Sequence, residues 1–170
     1  WGCIFTNIQK GVIGEVKTPL VLEGDEDWED CSRIHIPEEQ LSFDISQVNE
    51  ACATDSRFLM AKCCPRPFEQ LQFIRSTELL YVDLMHKPKG LLRFIEQMHD
   101  FYCRLVTKWA QTDVDGIMFM DDWGTQKSLL ISPQLWCELF KPMYRDYINI
   151  AKKHGKKTFM HSDGYTLEII

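Results

Sequence analysis

From residue 57 onward, short apolar runs of strand length alternate with longer stretches whose apolar residues recur every three or four positions. That alternation constrains the fold more than any other feature. Residues 57–63 form the first apolar run, which ends in Cys63-Cys64-Pro65-Arg66-Pro67. A helix is expected to start near Pro67, and a second over residues 78–85. Pro88 opens a longer one, in which Leu91, Ile95, Met98, Tyr102, Leu105 and Trp109 mark a single face. Residues 116–120 read as a buried strand, closed by Asp121-Asp122. Ser132 and Pro133 supply an N-cap and a first-turn proline. The stripe Trp136, Leu139, Phe140, Met143, Tyr147 and Ile150 follows, with a kink expected at Pro142. Lys152 and Lys153 suit a last helical turn, Gly155 suits a stop, and residues 157–160 form a third strand ending at His161. Strands alternating with helices imply parallel pairing through right-handed crossovers, so the class is α/β.

Ahead of this pattern, residues 1–55 read as an acidic, irregular and partly β lead-in, and residues 56–170 as the α/β portion. Residues 1–6 and 15–22 are β-capable, with turns available at Gly11 and Gly14. Residues 23–30 are strongly acidic and are expected to form a solvated turn or a helix start. Charge follows the same division: residues 1–55 carry a net −9 and the remainder +3, within a total of −6. The basic excess forms no stripe interleaved with aromatics, which argues against nucleic acid as a partner. No apolar run is long enough for a membrane span or a secretory signal. Seven cysteines without framework spacing suggest reduced thiols and a cytoplasmic setting. The chain begins on Trp1, and a natural start upstream of it is expected.

Parallel α/β folds place their chemistry at the carboxyl ends of the strands. Each of the three strands ends in polar or reactive residues, which the crossovers bring to one rim. The first gives Cys63, Cys64 and Arg66, and the second gives Asp121, Asp122, Trp123, Gly124 and Gln126. The third gives His161, Ser162, Asp163 and Gly164. Asp121 and Asp122 are suited to acid–base or cation work, or else to capping a turn. His161 and Asp163 can face one point, either as metal ligands or as an imidazole oriented by a carboxylate. Adjacent strand residues point to opposite faces, so at most one of Cys63 and Cys64 faces the site. Arg66 is a candidate for a substrate carboxylate or phosphate, or a surface arginine before a helix. His35, His86, His99 and His154 read as surface or helix-end residues. No Walker loop, dinucleotide fingerprint, nucleophile elbow or Cys-x-x-Cys motif is present.

Residues 116–136 (with Asp121-Asp122-Trp123-Gly124 and Ser132-Pro133), residues 140–144 and residues 157–164 (with His161-Ser162-Asp163-Gly164) together resemble the uroporphyrinogen decarboxylase superfamily. The opening Trp1-Gly2-Cys3 and residues 62–74 are similar to the same superfamily, which also holds cobalamin-dependent methyltransferases. The resemblance implies a portion of a (β/α)8 barrel with its active site on the rim already deduced. It also implies an incomplete chain, because a full barrel needs eight strands and about 250 residues.

Within the superfamily, the decarboxylases carry an arginine-rich amino-terminal signature and a catalytic aspartate without counterpart here. Asp121 falls near their active-site serine, and Leu71-Gln72 near their tyrosine. The methyltransferases hold zinc with a His-x-Cys pair and a further cysteine, and here Asp163 stands in place of the first cysteine. The resemblance therefore implies a methyltransferase-like enzyme acting with a corrinoid carried by a partner protein. Its metal, zinc, would be held by His161 and Asp163. Asp121 and Asp122 would handle protons or orient a small-molecule substrate, with Arg66, Trp123 and Gln126 contacting it. A decarboxylase of uroporphyrinogen or another carboxylated substrate is the alternative enzyme. A non-catalytic barrel that binds a tetrapyrrole or corrinoid is the alternative from another class.

Overall fold

The computed structural model describes residues 1–7 and 14–169. The chain divides into two compact units, one formed by Trp1–Pro37 and Glu69–Met98, the other by Glu38–Phe68 and His99–Ile170.

In the first unit, β1 (Phe5–Thr6) and β2 (Glu15–Val16) pair antiparallel, with Phe5 opposite Val16. The turn expected at Gly11 lies outside the described residues. The acidic stretch expected to be a solvated turn carries Trp28 into the core, where it is 2 % exposed. The indole explains this departure, because its buried area outweighs the polarity of its neighbours and its N–H finds a partner. That N–H donates to Asp83 Oδ2 at 2.7 Å, and the ring stacks on Phe94. Asp83 also accepts from Arg75 Nε at 2.7 Å, giving a buried ion pair between α2 (Pro67–Arg75) and α3 (Thr77–His86). Both expected helices are present, with Ser76 between them at φ 77°.

The second unit holds the sheet. Its strands β3 (Met60–Ala61), β4 (Gly116–Met120) and β5 (Lys157–His161) lie in that order and all run parallel. Ile117 and Phe119 of β4 are buried, and the ring of Phe119 lies 5.9 Å from that of Tyr147. Tyr147 belongs to α6 (Lys141–Lys153), whose buried face is Met143, Tyr144, Tyr147 and Ala151. α4 (Lys89–Ala110) is the long helix expected after Pro88, and Tyr102 and Leu105 of its stripe are buried. The result is a mixed α/β structure with a small parallel sheet, and no closed barrel forms among the described residues. No described helix is long and apolar enough to cross a membrane.

Three local departures have physical causes. The first strand shrinks from residues 57–63 to two residues because Cys64 turns to φ 46° and Pro65 cannot donate to the ladder. The kink expected at Pro142 is a full break: α5 (Pro133–Leu139) stops, and α6 restarts with the proline in its first turn. Within residues 1–55, read as irregular and partly β, α1 (Ile45–Ala53) forms under an Asp44 cap whose carboxylate accepts from Ser46 N at 2.8 Å. None of its residues is fully buried, and its apolar period is confined to Ile45, Val48 and Cys52 over two turns.

Candidate metal centre

The loops that follow β4 and β5 are tied together past the strand ends. Asp121 N donates to His161 O at 3.1 Å, Trp123 N to Ser162 Oγ at 3.0 Å, and Gly124 N to Asp163 O at 3.2 Å. The approach is so close that a Cβ on Gly124 would meet Tyr165 N at 2.4 Å, and one on Gly164 would meet Gly124 O at 2.2 Å. Gly164 also holds φ 82°, a conformation that costs glycine little. Both positions therefore require glycine for the rim to close as it does.

Strand pleating then separates the two adjacent aspartates. Side chains alternate, so Asp121 continues the row of Ile117 and Phe119, whereas Asp122 continues that of Met118 and Met120. Asp121 is fully buried. Its Oδ2 accepts from Phe68 N at 2.8 Å in the first turn of α2 and from the Tyr144 hydroxyl at 2.5 Å. A carboxylate at a helix N-terminus is favoured by the backbone dipoles as well as by the hydrogen bond. Burial first, and the neighbouring Asp121 carboxylate second, hold the Tyr144 phenol well above its ordinary range. Trp123, expected to line a pocket, is likewise fully buried, stacked 4.5 Å from Phe68 and donating from Nε1 to the Tyr144 oxygen at 3.3 Å.

Asp122 faces the other way, toward the residues of the third strand. His161 Nε2 lies 3.8 Å from Asp122 Oδ1 and 3.5 Å from Asp163 Oδ1. One donor atom from each of the three residues falls within 4.8 Å of the others. The amide of Asp163 donates to Asp122 Oδ1 at 2.8 Å, which fixes the third-strand loop against the second. The side chains are 44 %, 37 % and 77 % exposed for His161, Asp122 and Asp163, so the cluster opens to solvent. Zinc and other divalent ions accept such imidazole and carboxylate donors, and two oxygens with one nitrogen form a harder set than thiolates would.

The remaining expected residues lie around this point in different states. Arg66 is half-buried and hydrogen-bonds the Cys64 side chain. Burial raises the Cys64 thiol, and Arg66 and Lys62 act against that rise. Desolvation, reinforced by Cys64, pushes the Cys63 thiol up to about 12, so it is not a thiolate near neutrality. Gln126 is exposed in a turn that Thr125 Oγ1 organises by accepting from Lys127 N and Ser128 N. The structure thus brings Asp122, His161 and Asp163 together and sets Asp121 and Trp123 beneath the helices. The sequence reading named His161 and Asp163 as metal ligands and took Asp121 and Asp122 together for acid–base or cation work or substrate orientation, although the period-two alternation along residues 116–122 already distinguishes Asp122 from Asp121. Tyr144 was given no role, since it falls outside the apolar stripe read along this helix and figures only within residues 140–144 of the resemblance.

Compared with family models, curated proteins and solved structures, the chain matches none.

Proposed function

We propose that the protein is a metal-dependent enzyme of the uroporphyrinogen decarboxylase type, closer to its methyltransferase-like members than to the decarboxylases. In this reading β3, β4 and β5 are three consecutive strands of a (β/α)8 barrel. Two features support the architecture: the strict parallel order, and the burial of one sheet face under helices while the other stays open. The single observation that carries the function is the meeting of Asp122, His161 and Asp163 at the carboxyl ends of parallel strands.

His161, Asp163 and Asp122 would hold the metal, with zinc the first candidate. Bound there, zinc supplies Lewis acidity toward an oxygen or a thiol of the substrate. The chain's own groups have separate tasks. The amide of Asp163 pins Asp122, so the carboxylate is set before any cation arrives. Asp121, Tyr144 and Trp123 brace the loop from below and do not reach the substrate. Arg66 places positive charge on the same rim for an anionic part of a small-molecule substrate. The methyl group would be exchanged with a corrinoid carried by a partner protein. Seven free cysteines suit a reducing compartment, and we assign the protein to the cytoplasm.

Metal analysis of the purified protein tests this. The expected result is one zinc per chain, lost in His161→Ala and in Asp163→Ala and weakened in Asp122→Asn, with all three variants folded by circular dichroism. Occupancy in His161→Ala equal to that of the parent protein would overturn the assignment.

A further inference from the structure

Beyond the metal centre, and independently of it, we propose that Cys63 and Cys64 form a dithiol site for neutral trivalent arsenicals. Two cysteines joined by one peptide bond keep their sulfurs within reach of each other whatever else of the fold surrounds them. Alternation along a strand would set those sulfurs on opposite faces. The ladder stops short of the pair, however: β3 ends at Ala61, and Cys64 takes φ 46°. Against the parallel-strand value of about −120°, that angle swings the Cys64 side chain through nearly half a circle, back toward the side of Cys63. A left-handed backbone at a residue with a Cβ is strained, and two contacts hold this one in place. Cys64 N donates to Met118 O at 3.2 Å, and Met120 N donates to Pro65 O at 3.2 Å. The pair is thus fixed at the carboxyl end of β3, with both thiols free and partly exposed.

Charge and ring size select the ligand. Lys62 and Arg66 flank the pair, and both act electrostatically on Cys64. A metal cation would meet these two positive charges, and it would need thiolates. Burial pushes the Cys63 thiol up to about 12 and raises that of Cys64 as well, so the pair stays protonated near neutrality. A trivalent arsenic hydroxide is neutral and reacts with thiols in that form. Two As–O bonds break, two As–S bonds form, and the two thiol protons leave with the hydroxides as two waters. Arsenic stays trivalent, so no oxidant or reductant takes part. A disulfide between the same residues is the poorer product. Their peptide bond is trans, which sets the Cα atoms about 3.8 Å apart, closer than disulfide geometry prefers. Arsenic adds one atom to the ring and spans a wider gap between the sulfurs.

Intact-mass spectrometry of the reduced chain, treated with phenylarsine oxide in an excess of glutathione, tests the site. Glutathione strips arsenic held by one sulfur and leaves chelated arsenic in place. The expected result is one phenylarsenic group per chain, removed by 2,3-dimercaptopropanol. Peptide mapping of the adduct, which needs no variant, should place it on Cys63 and Cys64. Cys63→Ser and Cys64→Ser should each lose it, whereas Cys31→Ser and Cys103→Ser, at cysteines that are also half-buried, should keep it. Iodoacetamide, which needs the thiolate, should label Cys63 at least about tenfold more slowly than exposed Cys137. No retained adduct, an adduct mapped to other cysteines, or retention in Cys63→Ser or Cys64→Ser would overturn the proposal, as would equal labelling of Cys63 and Cys137. The zinc stoichiometry of the untreated protein reads the metal centre separately, so either idea can fail without the other.

Discussion

Asp121 and Asp122 are neighbours in sequence, yet the pleat sends one under the helices and the other to the open rim. Their substitution should therefore have opposite consequences. Asp121→Ala leaves the Tyr144 hydroxyl and the Phe68 amide without their acceptor in the core, a loss of roughly 3 kcal/mol in urea denaturation. Asp122→Asn, at an exposed position, should cost under about 1 kcal/mol while weakening metal binding. Equal destabilisation by the two would show that the alternation is misassigned. Alkaline pH offers a second test of the same network. The Tyr144 phenol is held well above its ordinary value. Its contribution to stability is thus complete below the unfolded phenol's pKa, about 10, and is lost as pH rises beyond it. Tyr144→Phe should flatten the fall in stability above that pH, read by urea midpoints. Sequence alone marked both aspartates as polar and rim-bound. It could not show which one was satisfied internally, because the acceptor's partners come from α2 and α6, distant in the chain.

Elements with a strong period, a cap or a proline were legible, and those without were not. β4 matches the apolar run at residues 116–120, and α5 starts where Ser132 and Pro133 mark it, the Ser132 Oγ accepting from Leu135 N at 3.2 Å. Ser132→Ala should cost about 1 kcal/mol, measured by thermal or chemical unfolding, as expected for a lost N-cap. α1 escaped notice although Ile45, Val48 and Cys52 stand at helical spacing behind the Asp44 cap, because the helix is short and none of its residues is buried. The shortening of β3 was readable in part from Pro65 and Pro67, whereas the left-handed turn at Cys64 was not, since no residue type dictates it. Gly124 shows how an element's end serves the site. Gly124→Ala forces its new methyl into the backbone at Tyr165 and must push the two rim loops apart. The expected outcome is a loss of metal affinity larger than the loss of stability, read by calorimetric zinc titration beside urea unfolding.

For the molecule as a whole, the decisive contrast is between the two faces of the parallel sheet. The helix side buries Ile117 and Phe119, as an α/β layer must. The other side leaves Phe58, Met60 and Phe159 at 56 %, 43 % and 45 % exposure, with the rings of Phe58 and Phe159 in edge-to-face contact at 5.7 Å. Burying a large aromatic contributes on the order of 2 to 3 kcal/mol. The covered face therefore carries the stability of the sheet, and the open face withholds much of its share. Phe119→Ala should cost roughly 3 to 5 kcal/mol, the usual range for an aromatic removed from a packed core. Phe58→Ser combined with Phe159→Ser should cost far less, since neither ring is enclosed. The double variant should also bind less of a hydrophobic dye and stay soluble at higher concentration, because open apolar surface and free strand edges drive association. Urea unfolding, dye fluorescence and light scattering on the three proteins decide the matter. A double variant as destabilised as Phe119→Ala, with dye binding unchanged, would mean that the open face is packed in solution and that the sheet is covered on both sides.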